Sequence, residues 1–231
     1  MSGSNPQEKP IECIGIILDG NRRWAKEKEL PSLEGHRRGF ETLKETARWA
    51  LARNVPHLAV YAFSTENWNR PAEEVTGLMG MIKDAADSDM SDLVKEGVRL
   101  RFVGDFERIP QDVRDVLEKI ESESVSNMRL TLWVCLSYGG RAEIIAAAHG
   151  ASAHEGVLTE ELLRQHLWTS AMPDPDIIIR TGGQRRLSNF LLWQSAYSEL
   201  FFLDMLWPDF TEQDLDGVLL EFTNRKRNFG V

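Results

Sequence analysis

The chain has 231 residues, of which 42% are hydrophobic, and a formal net charge of −9 at pH 7. A chain of this length and composition can bury the core of one domain. The acidic balance excludes a typical nucleic-acid-binding protein, because such proteins need an excess of basic side chains to neutralise phosphates.

The cysteines and the N-terminal residues indicate where the protein works. Cys13 and Cys135 lie in apolar strand-like segments, where reduced core thiols are expected rather than reactive ones. Residues 1–10 are polar, so we predict a disordered N-terminal tail followed by a single domain over residues 11–231. No segment has the roughly 18 consecutive apolar residues of a membrane-spanning helix. We therefore expect a cytoplasmic, soluble protein that can act peripherally at the inner face of a membrane.

Short apolar runs alternate with amphipathic helical segments along the chain. Predicted strands cover residues 14–18, 58–63, 98–103, 129–136, 177–179 and 200–203. Predicted helices cover residues 35–53, 111–120, 141–149 and 160–168, and a long helix runs from Pro71 to Gly97. Strands that alternate with helices are typical of a parallel sheet covered on both faces. We predict an α/β fold with a central, mostly parallel six-stranded sheet flanked by helices.

Polar clusters follow three of the predicted strands. They occupy residues 19–24, 64–71 and 180–190. In open α/β sheets, ligands bind just outside the carboxyl ends of the strands. The three clusters are therefore expected to meet along one edge of the sheet and to form one site.

The first cluster has the composition of a diphosphate site. Gly20 would expose backbone N–H groups at the start of a predicted helix, and Arg22 and Arg23 supply forked donors. Asp19 would repel a phosphate unless a divalent cation lay between them, and its oxygens suit Mg²⁺. Asp19 is therefore a candidate Mg²⁺ ligand. The alternative is that Asp19 only caps the helix.

The second cluster, residues 64–71, is compatible with two roles. Asn67 and Trp68 could place a neutral polar group and an apolar plate beside a cationic hydrocarbon intermediate. The alternative is that Glu66 or Asn67 caps the helix that follows Pro71.

The third cluster contains two arginines that could flank a phosphate. Arg180 and Arg186 supply the charge, and Ser188 adds a hydroxyl donor. A solvated basic loop is the alternative. Glu199 directly precedes an apolar run, where a buried carboxylate needs a metal ion or an arginine as its partner.

Taken together, these segments resemble the cis-prenyltransferases, the family that includes bacterial undecaprenyl diphosphate synthases. The resemblance extends from residue 14 to residue 230. Its signatures are residues 19–26, 35–36, 61–71, 138–141, 186–194 and 206–210. Several long motifs in the same order make a chance similarity untenable.

The resemblance implies a fold, an activity and partners. The sheet would enclose an apolar tunnel, and the enzyme would condense isopentenyl diphosphate repeatedly, in cis, onto an allylic diphosphate such as farnesyl diphosphate. The reaction would depend on Mg²⁺ and would yield a polyprenyl diphosphate that serves as a lipid carrier precursor. A homodimer is implied, with peripheral membrane contact for release of the product.

The resemblance also implies a role for each site residue. Asp19 would be the essential carboxylate that carries Mg²⁺, Glu199 would complete the metal site, and Asn67 would accept the proton. The allylic substrate would be held by Gly20, Asn21, Arg22, Arg23, Trp24 and His36. The same cleft would be lined by Ser64, Thr65, Glu66, Trp68 and Arg70. The diphosphate of isopentenyl diphosphate would be bound by Arg180, Arg186, Leu187 and Ser188.

One stripe of the long helix is expected to form the tunnel wall. Its members are Leu78, Met79, Ile82 and Ala86, with Ala62 facing the growing chain from the second strand. Lys83 and Asp84 are expected to point to solvent, because charges buried in a lipid tunnel would be costly.

Four residues depart from the family pattern. Ser32 and Asn228 stand where arginine is usual, Gln184 replaces a glutamate, and Cys13 replaces a histidine. These departures leave open a second hypothesis, a non-catalytic partner subunit or lipid-binding relative.

The retained site residues weigh against that second hypothesis, because a binding partner needs few of them. A third hypothesis, a haloacid-dehalogenase-like phosphatase, is discounted because Ile17 occupies the place of its second aspartate.

Overall fold

A six-stranded sheet forms the centre of the computed structural model, which describes residues 10–152 and 157–225. Its strands are β1 (Cys13–Ile17), β2 (His57–Ser64), β3 (Val98–Val103), β4 (Leu130–Tyr138), β5 (Ile177–Arg180) and β6 (Glu199–Phe202). They lie in the order β3-β4-β2-β1-β5-β6, and every neighbouring pair is parallel. The prediction of a six-stranded parallel sheet is confirmed.

Helices connect the strands and cover the sheet. The α-helices of the described part of the chain are α1 (Asn21–Glu27), α2 (Ser32–Ala52), α3 (Ala72–Asp84), α4 (Met90–Lys95), α5 (Gln111–Glu123), α6 (Gly140–Ala151), α7 (Glu160–Gln165) and α8 (Glu212–Asn224). The predicted long helix is divided by a π-helical turn, Ala85–Asp89, between α3 and α4. A single turn of this kind widens a helix and often lies next to a functional site.

Helix α8 was not predicted, although its start carries a clear signal. Thr211 and Asp214 form a capping box in which each side chain binds the backbone of the other residue. Leu215, Val218 and Phe222 follow at helical spacing and are buried. In addition, α6 continues to Ala151, two residues beyond the predicted end at residue 149.

Apolar side chains pack on both faces of the sheet. One core contains alternate residues of the strands, such as Ile14 and Ile16, packed against the helices. The opposite core contains Cys13, Ile17 and Cys135. Both cysteines are buried free thiols, and burial raises the pKa of each well above its ordinary value. The prediction of inert core thiols is consistent with this environment.

An irregularity in β2 prepares one wall of the site. The register between β2 and β4 shifts on both sides of Phe63, which is the mark of a β-bulge. Phe63 is buried in the core, whereas the preceding Ala62 is exposed. The bulge therefore directs Ala62 toward open space at the carboxyl end of the strand.

The outermost predictions fall partly beyond the structure. Residues 1–9 of the predicted tail and Asn228 lie outside the described residues. Within residues 10–152 and 157–225, no helix combines the length and the apolar character needed to cross a bilayer.

Candidate active site

The predicted clusters meet at the carboxyl edge of the sheet. Ile17, at the end of β1, pairs with Tyr61 of β2 on one side and with Arg180 of β5 on the other. The segments that follow these three strands therefore leave the sheet side by side. Their convergence, which the parallel arrangement predicted, is present in the structure.

Asp19 lies at the centre of this edge. Its Oδ2 accepts a hydrogen bond from Arg180 Nη2 at 2.8 Å, and its Oδ1 accepts one from Arg23 Nη2 at 3.1 Å. The residue at the cap position of α1 is Gly20, and α1 has no side-chain cap. The alternative role of Asp19 as a helix cap is therefore wrong, since its carboxylate binds guanidinium groups instead.

A pocket of about 700 Å³, here called pocket A, opens on one side of Asp19. Its polar lining residues are Asp19, Gly20, Asn21, Arg22, Arg23, Lys26, Glu29, Ser32, His36 and Arg70. Asn21 Oδ1, Ser32 Oγ and His36 Nε2 are buried atoms without a hydrogen-bond partner in the protein. Buried polar atoms normally have a partner, so these three are suited to a polar ligand.

His36 is a neutral donor in this pocket. Burial is the main reason that its pKa is lowered to about 4, and the nearby Arg70 lowers it further. Asn21 Nδ2 lies 3.5 Å from His36 Nδ1 and is a donor, so Nδ1 acts as the acceptor. The proton is therefore assigned to Nε2, whose N–H has no partner in the protein.

Glu74, in the first turn of α3, holds two arginines beside pocket A. Its Oε1 lies 3.1 Å from Arg70 Nη1 and 3.6 Å from Arg22 Nε. The shared carboxylate offsets the repulsion between the two guanidinium groups and keeps both near the pocket wall.

A second pocket of about 610 Å³, pocket B, opens on the other side of Asp19. Arg180 donates from Nη1 to Ser188 Oγ at 2.7 Å, and Arg186 Nε donates to the same oxygen at 3.2 Å. Arg186 also donates to Gln184 Oε1 at 2.7 Å. Arg180, Arg186 and Ser188, which were predicted to act together, therefore line pocket B with Asp19.

Asn67 also lines pocket B, but part of its side chain is already engaged. Its Oδ1 accepts a hydrogen bond from the backbone N–H of Ser64 at 3.0 Å, within a capping box. The alternative that Glu66 or Asn67 caps the helix after Pro71 is therefore wrong, because α3 has no side-chain cap. Asn67 instead belongs to the capping box of a short 3₁₀ helix, Thr65–Asn69. The Nδ2 hydrogens remain free to donate to a ligand. The amide is therefore better suited to donate a hydrogen bond to a ligand oxygen than to accept a proton.

An apolar cavity of about 70 Å³ lies below both pockets. It shares Leu18, Asn21 and His36 with pocket A, and these three together with Ala62 and Leu78 with pocket B. The cavity therefore lies directly beside both polar pockets, as a hydrocarbon chain attached to a diphosphate requires.

The helix stripe lines this cavity only in part. Leu78 and Ile82 form part of its wall as predicted, whereas Met79 and Ala86 are buried in the core instead. Lys83 and Asp84 point away from it, as predicted, and Lys83 Nζ pairs with Asp112 Oδ2 at 2.7 Å on the surface.

The pairing of Glu199 with Asp19 in one metal site is wrong for a single chain. Glu199 starts β6 and pairs with Ile177, which in turn pairs with Ile14 near the start of β1. Asp19 follows the other end of β1, so the two positions are separated by roughly 16 Å along the strand direction, at about 3.3 Å per residue, and by the intervening strand β5 across the sheet. Glu199 instead accepts a hydrogen bond from Arg225 Nη1 at 2.8 Å.

Several other predicted residues support the site without lining it. Trp24 donates to Asp209 Oδ1 at 2.7 Å and borders an outer groove. Trp68 donates to Ser137 Oγ at 2.9 Å, and its other ring neighbours are Phe63 and Arg108. The prediction that the two tryptophans contact substrate is therefore not supported.

Thr65 and Leu187 also face away from pockets A and B. Thr65 Oγ1 donates to Glu66 Oε2 at 3.1 Å, and Leu187 packs against the second core. Glu66 lines pocket B and accepts a hydrogen bond from Asn189 Nδ2 at 2.9 Å.

Several lining residues had no predicted role, among them Lys26, Tyr61 and Asn189. Lys26 lies one helical turn after Arg22, a spacing that places both on one face of α1. Asn189 has a backbone φ of 69° and follows Ser188 at 50°. Consecutive polar residues with positive φ are uncommon and often mark a functional loop.

Two cation-lined pockets that meet at one carboxylate and open on one apolar cavity define an enzyme for diphosphates with hydrocarbon tails. The family model described as putative undecaprenyl diphosphate synthase matches residues 17–230. The chain belongs to this family, a family of prenyltransferases of isoprenoid biosynthesis.

Relatives and solved structures agree with this assignment. The chain is 45% identical over 225 residues to an isoprenyl transferase of Thermotoga maritima, covering 94% of this chain and 95% of the relative. An isoprenyl transferase of Agrobacterium fabrum is 44% identical over 228 residues, covering 95% and 92%.

Two solved structures share the fold. Lavandulyl diphosphate synthase from Lavandula x intermedia, in complex with dimethylallyl diphosphate, has a TM-score of 0.92 at 33% identity and covers 96% of this chain and 98% of its own. A probable undecaprenyl diphosphate synthase from Campylobacter jejuni has a TM-score of 0.83 at 32% identity, with coverage of 96% and 100%.

Proposed function

We propose that this enzyme condenses isopentenyl diphosphate repeatedly, in cis, with an allylic diphosphate such as farnesyl diphosphate. The observation that carries the proposal is the position of Asp19 between pockets A and B, which share one apolar cavity. A reaction between two diphosphates with hydrocarbon tails needs this arrangement, because both reacting carbons must lie close together and away from water.

The allylic diphosphate is assigned to pocket A. Its phosphates would accept hydrogen bonds from Arg22, Arg23 and His36 Nε2–H, and from backbone N–H groups at the start of α1. Its hydrocarbon tail would enter the apolar cavity next to Leu18. A neutral His36 suits this role, since it donates without adding a charge that must be buried.

Isopentenyl diphosphate is assigned to pocket B. Arg186 and Ser188 would contact its diphosphate, while Arg180 is held between Asp19 and Ser188. Asn67 would donate from Nδ2 to a diphosphate oxygen. We therefore interpret Asn67 as a positioning donor and not as the proton acceptor.

The residues present fit a Mg²⁺ ion held mainly by substrate. The side chain of Asp19 is 27% exposed and faces both pockets. Residues 10–152 and 157–225 contain no group of three or more His, Cys, Asp or Glu side chains that could hold a metal. This matches the usual Mg²⁺ site, in which one or two carboxylates bind together with phosphate oxygens. When bound by Asp19, Mg²⁺ would neutralise the charge that develops on the departing pyrophosphate.

Each condensation exchanges one carbon–oxygen bond for one carbon–carbon bond. The bond between C1 of the allylic group and its diphosphate breaks, and the oxygen keeps the electron pair. The terminal double bond of isopentenyl diphosphate attacks C1, and C2 then loses a proton to form the new double bond. The products are one pyrophosphate, one proton and a chain longer by one isoprene unit. Arg22, Arg23 and His36 would stabilise the leaving pyrophosphate.

We also propose that the enzyme is a homodimer that contacts the inner membrane face peripherally when product leaves. Exposed apolar side chains such as Ile145 and Tyr197 offer surface for such contacts. Sedimentation at several protein concentrations would test the dimer, and flotation with vesicles that contain polyprenyl phosphate would test the membrane contact.

A coupled assay of pyrophosphate release tests the reaction. Release is expected only when isopentenyl diphosphate, farnesyl diphosphate and Mg²⁺ are all present, and EDTA should abolish it. Lys95→Ala, on the far surface, serves as a control that should release pyrophosphate at the wild-type rate. Release that needs only one of the two substrates would indicate hydrolysis and would contradict condensation.

A further inference from the structure

A second cavity lies beside the apolar cavity, and a single residue borders both. The apolar cavity has a volume of about 70 Å³, and the second cavity has about 210 Å³. The second cavity is lined by Phe102, Phe106, Arg114, Leu117, Glu118 and Glu121. Phe102 also lines the apolar cavity, next to Val134 and Leu136. The Phe102 side chain is therefore the partition between the two spaces.

The position of Phe102 is fixed by its neighbours. It belongs to β3, an edge strand, and packs in the same core as Leu117 of α5. Its backbone N–H donates to Glu121 Oε2 at 3.1 Å, which ties the strand to α5. Phe102 is 8% exposed. A ring held in this way can act as a rigid partition.

The opposite boundary of the apolar cavity is built differently. Phe40, Met81 and Ala85 border both this cavity and a groove of about 480 Å³ between α2 and α3. Three side chains, one each from α2, α3 and the π-helical turn, separate the apolar cavity from that groove, whereas one ring separates it from the second cavity at β3. A single substitution is therefore expected to remove more of the partition at Phe102 than at any one of these three residues.

We propose that Phe102 is a specificity-determining residue that limits the length of the product. This inference rests on the proposed condensation. Each added isoprene unit must find apolar space, because its exposure to water is unfavourable. The growing tail reaches the Phe102 ring, beyond which Phe106 and Leu117 would offer further apolar surface. Truncation of the ring joins the two cavities and lets elongation continue.

Product sizing of matched variants tests the proposal. Wild type, Phe102→Ala, Phe102→Leu, Phe106→Ala and Met81→Ala are incubated with labelled isopentenyl diphosphate, farnesyl diphosphate and Mg²⁺. Phe102→Ala should lengthen the main product by at least one isoprene unit, while the rate of primer consumption stays within about threefold of the wild-type rate. Phe102→Leu, which conserves more of the core, should shift the product less. Phe106→Ala, which borders only the second cavity, should give the wild-type product.

Unchanged products from both Phe102 variants would overturn the proposal, as would equal shifts from Phe102→Ala and Phe106→Ala. Longer products from Met81→Ala alone would place the limiting wall at the α2–α3 groove. Failure of wild type to consume primer would instead contradict the proposed function.

A binding measurement separates these cases without turnover. The ratio of the affinities for geranylgeranyl and farnesyl thiolodiphosphates should rise about tenfold in Phe102→Ala. An unchanged ratio would overturn the role of Phe102.

Discussion

Arg180, the last residue of β5, donates a hydrogen bond from Nη2 to Asp19 Oδ2 at 2.8 Å. Arg180 is 4% exposed and also donates to Ser188 Oγ at 2.7 Å, whereas the Asp19 side chain faces both pockets. This ion pair fixes the carboxylate at the boundary between the two proposed diphosphate sites. Charge and geometry at that boundary therefore depend on this contact between the ends of two neighbouring strands, together with the hydrogen bond from Arg23 to Asp19 Oδ1.

Asp19→Ala is expected to reduce kcat by at least about 10³-fold, because a carboxylate that carries the metal stabilises the leaving pyrophosphate. The substitution also removes a partner of the buried Arg180, so unfolding free energy should fall by about 1–3 kcal/mol. Asp19→Asn keeps an acceptor for Arg180 and should be more stable but similarly inactive. Steady-state kinetics and denaturant unfolding measure both effects. Near-normal turnover in either variant would remove Asp19 from the mechanism.

Asn67→Asp distinguishes a donor from a proton acceptor. Aspartate can still accept the hydrogen bond from Ser64 N, so the melting temperature should stay close to wild type. The Nδ2 donors are lost and a negative charge is added, so KM for isopentenyl diphosphate should rise at least about tenfold. A kcat that is maintained or raised, with unchanged KM, would support proton acceptance by residue 67 instead.

His36 should make the free enzyme sensitive to acid. Its pKa in the folded protein is lowered to about 4 from an ordinary 6.5, chiefly by burial. The folded state therefore favours the neutral ring, and the resulting stability is fully present above pH 6.5 and lost as pH falls toward 4. Across that window, wild type should lose about 3 kcal/mol more unfolding free energy than His36→Gln. Parallel stability curves for the two proteins would show that His36 does not titrate in this way.

Ala62→Leu should shorten the products. Ala62 lines both pocket B and the apolar cavity, where the first added units pass. A larger side chain there fills space that the tail needs, whereas the first condensation should continue. Lys83→Ala is the matched control, because Lys83 pairs with Asp112 on the surface. Product ladders that are identical in wild type and Ala62→Leu would place the path of the tail elsewhere.

The sheet and the convergence of the clusters could be predicted from sequence because both depend on local patterns. Short apolar runs such as residues 177–179 define strands, and parallel strands end at a common edge. The same rule, applied to Glu199, would have placed it at the opposite edge, since Glu199 precedes its apolar run. Glu199 was assigned to the metal site from the family resemblance and not from its position in the sheet.

Side-chain direction was the part that sequence could not supply. Trp68 lies in a 3₁₀ helix of five residues, where no periodicity tells which way the ring points. The structure turns it toward Ser137 and away from the pockets. Similarly, Ala86 shares a stripe with Leu78, but it lies in the π-helical turn Ala85–Asp89, which changes the direction of its side chain and leaves it in the core.

The most direct test of the central claim is a single-turnover measurement with purified wild-type protein. Excess enzyme is mixed with farnesyl diphosphate, labelled isopentenyl diphosphate and Mg²⁺, and the lipid products are sized beside those of Gln184→Glu. Because Gln184 accepts a hydrogen bond from Arg186 and lines neither pocket A nor pocket B, replacing it with the family's usual glutamate should shift the Mg²⁺ optimum by only a few-fold. The account predicts that the wild type forms chains longer than farnesyl diphosphate, with one pyrophosphate released for each unit added. Incorporation by Gln184→Glu alone, or by neither protein, would contradict it and would favour a non-catalytic partner subunit.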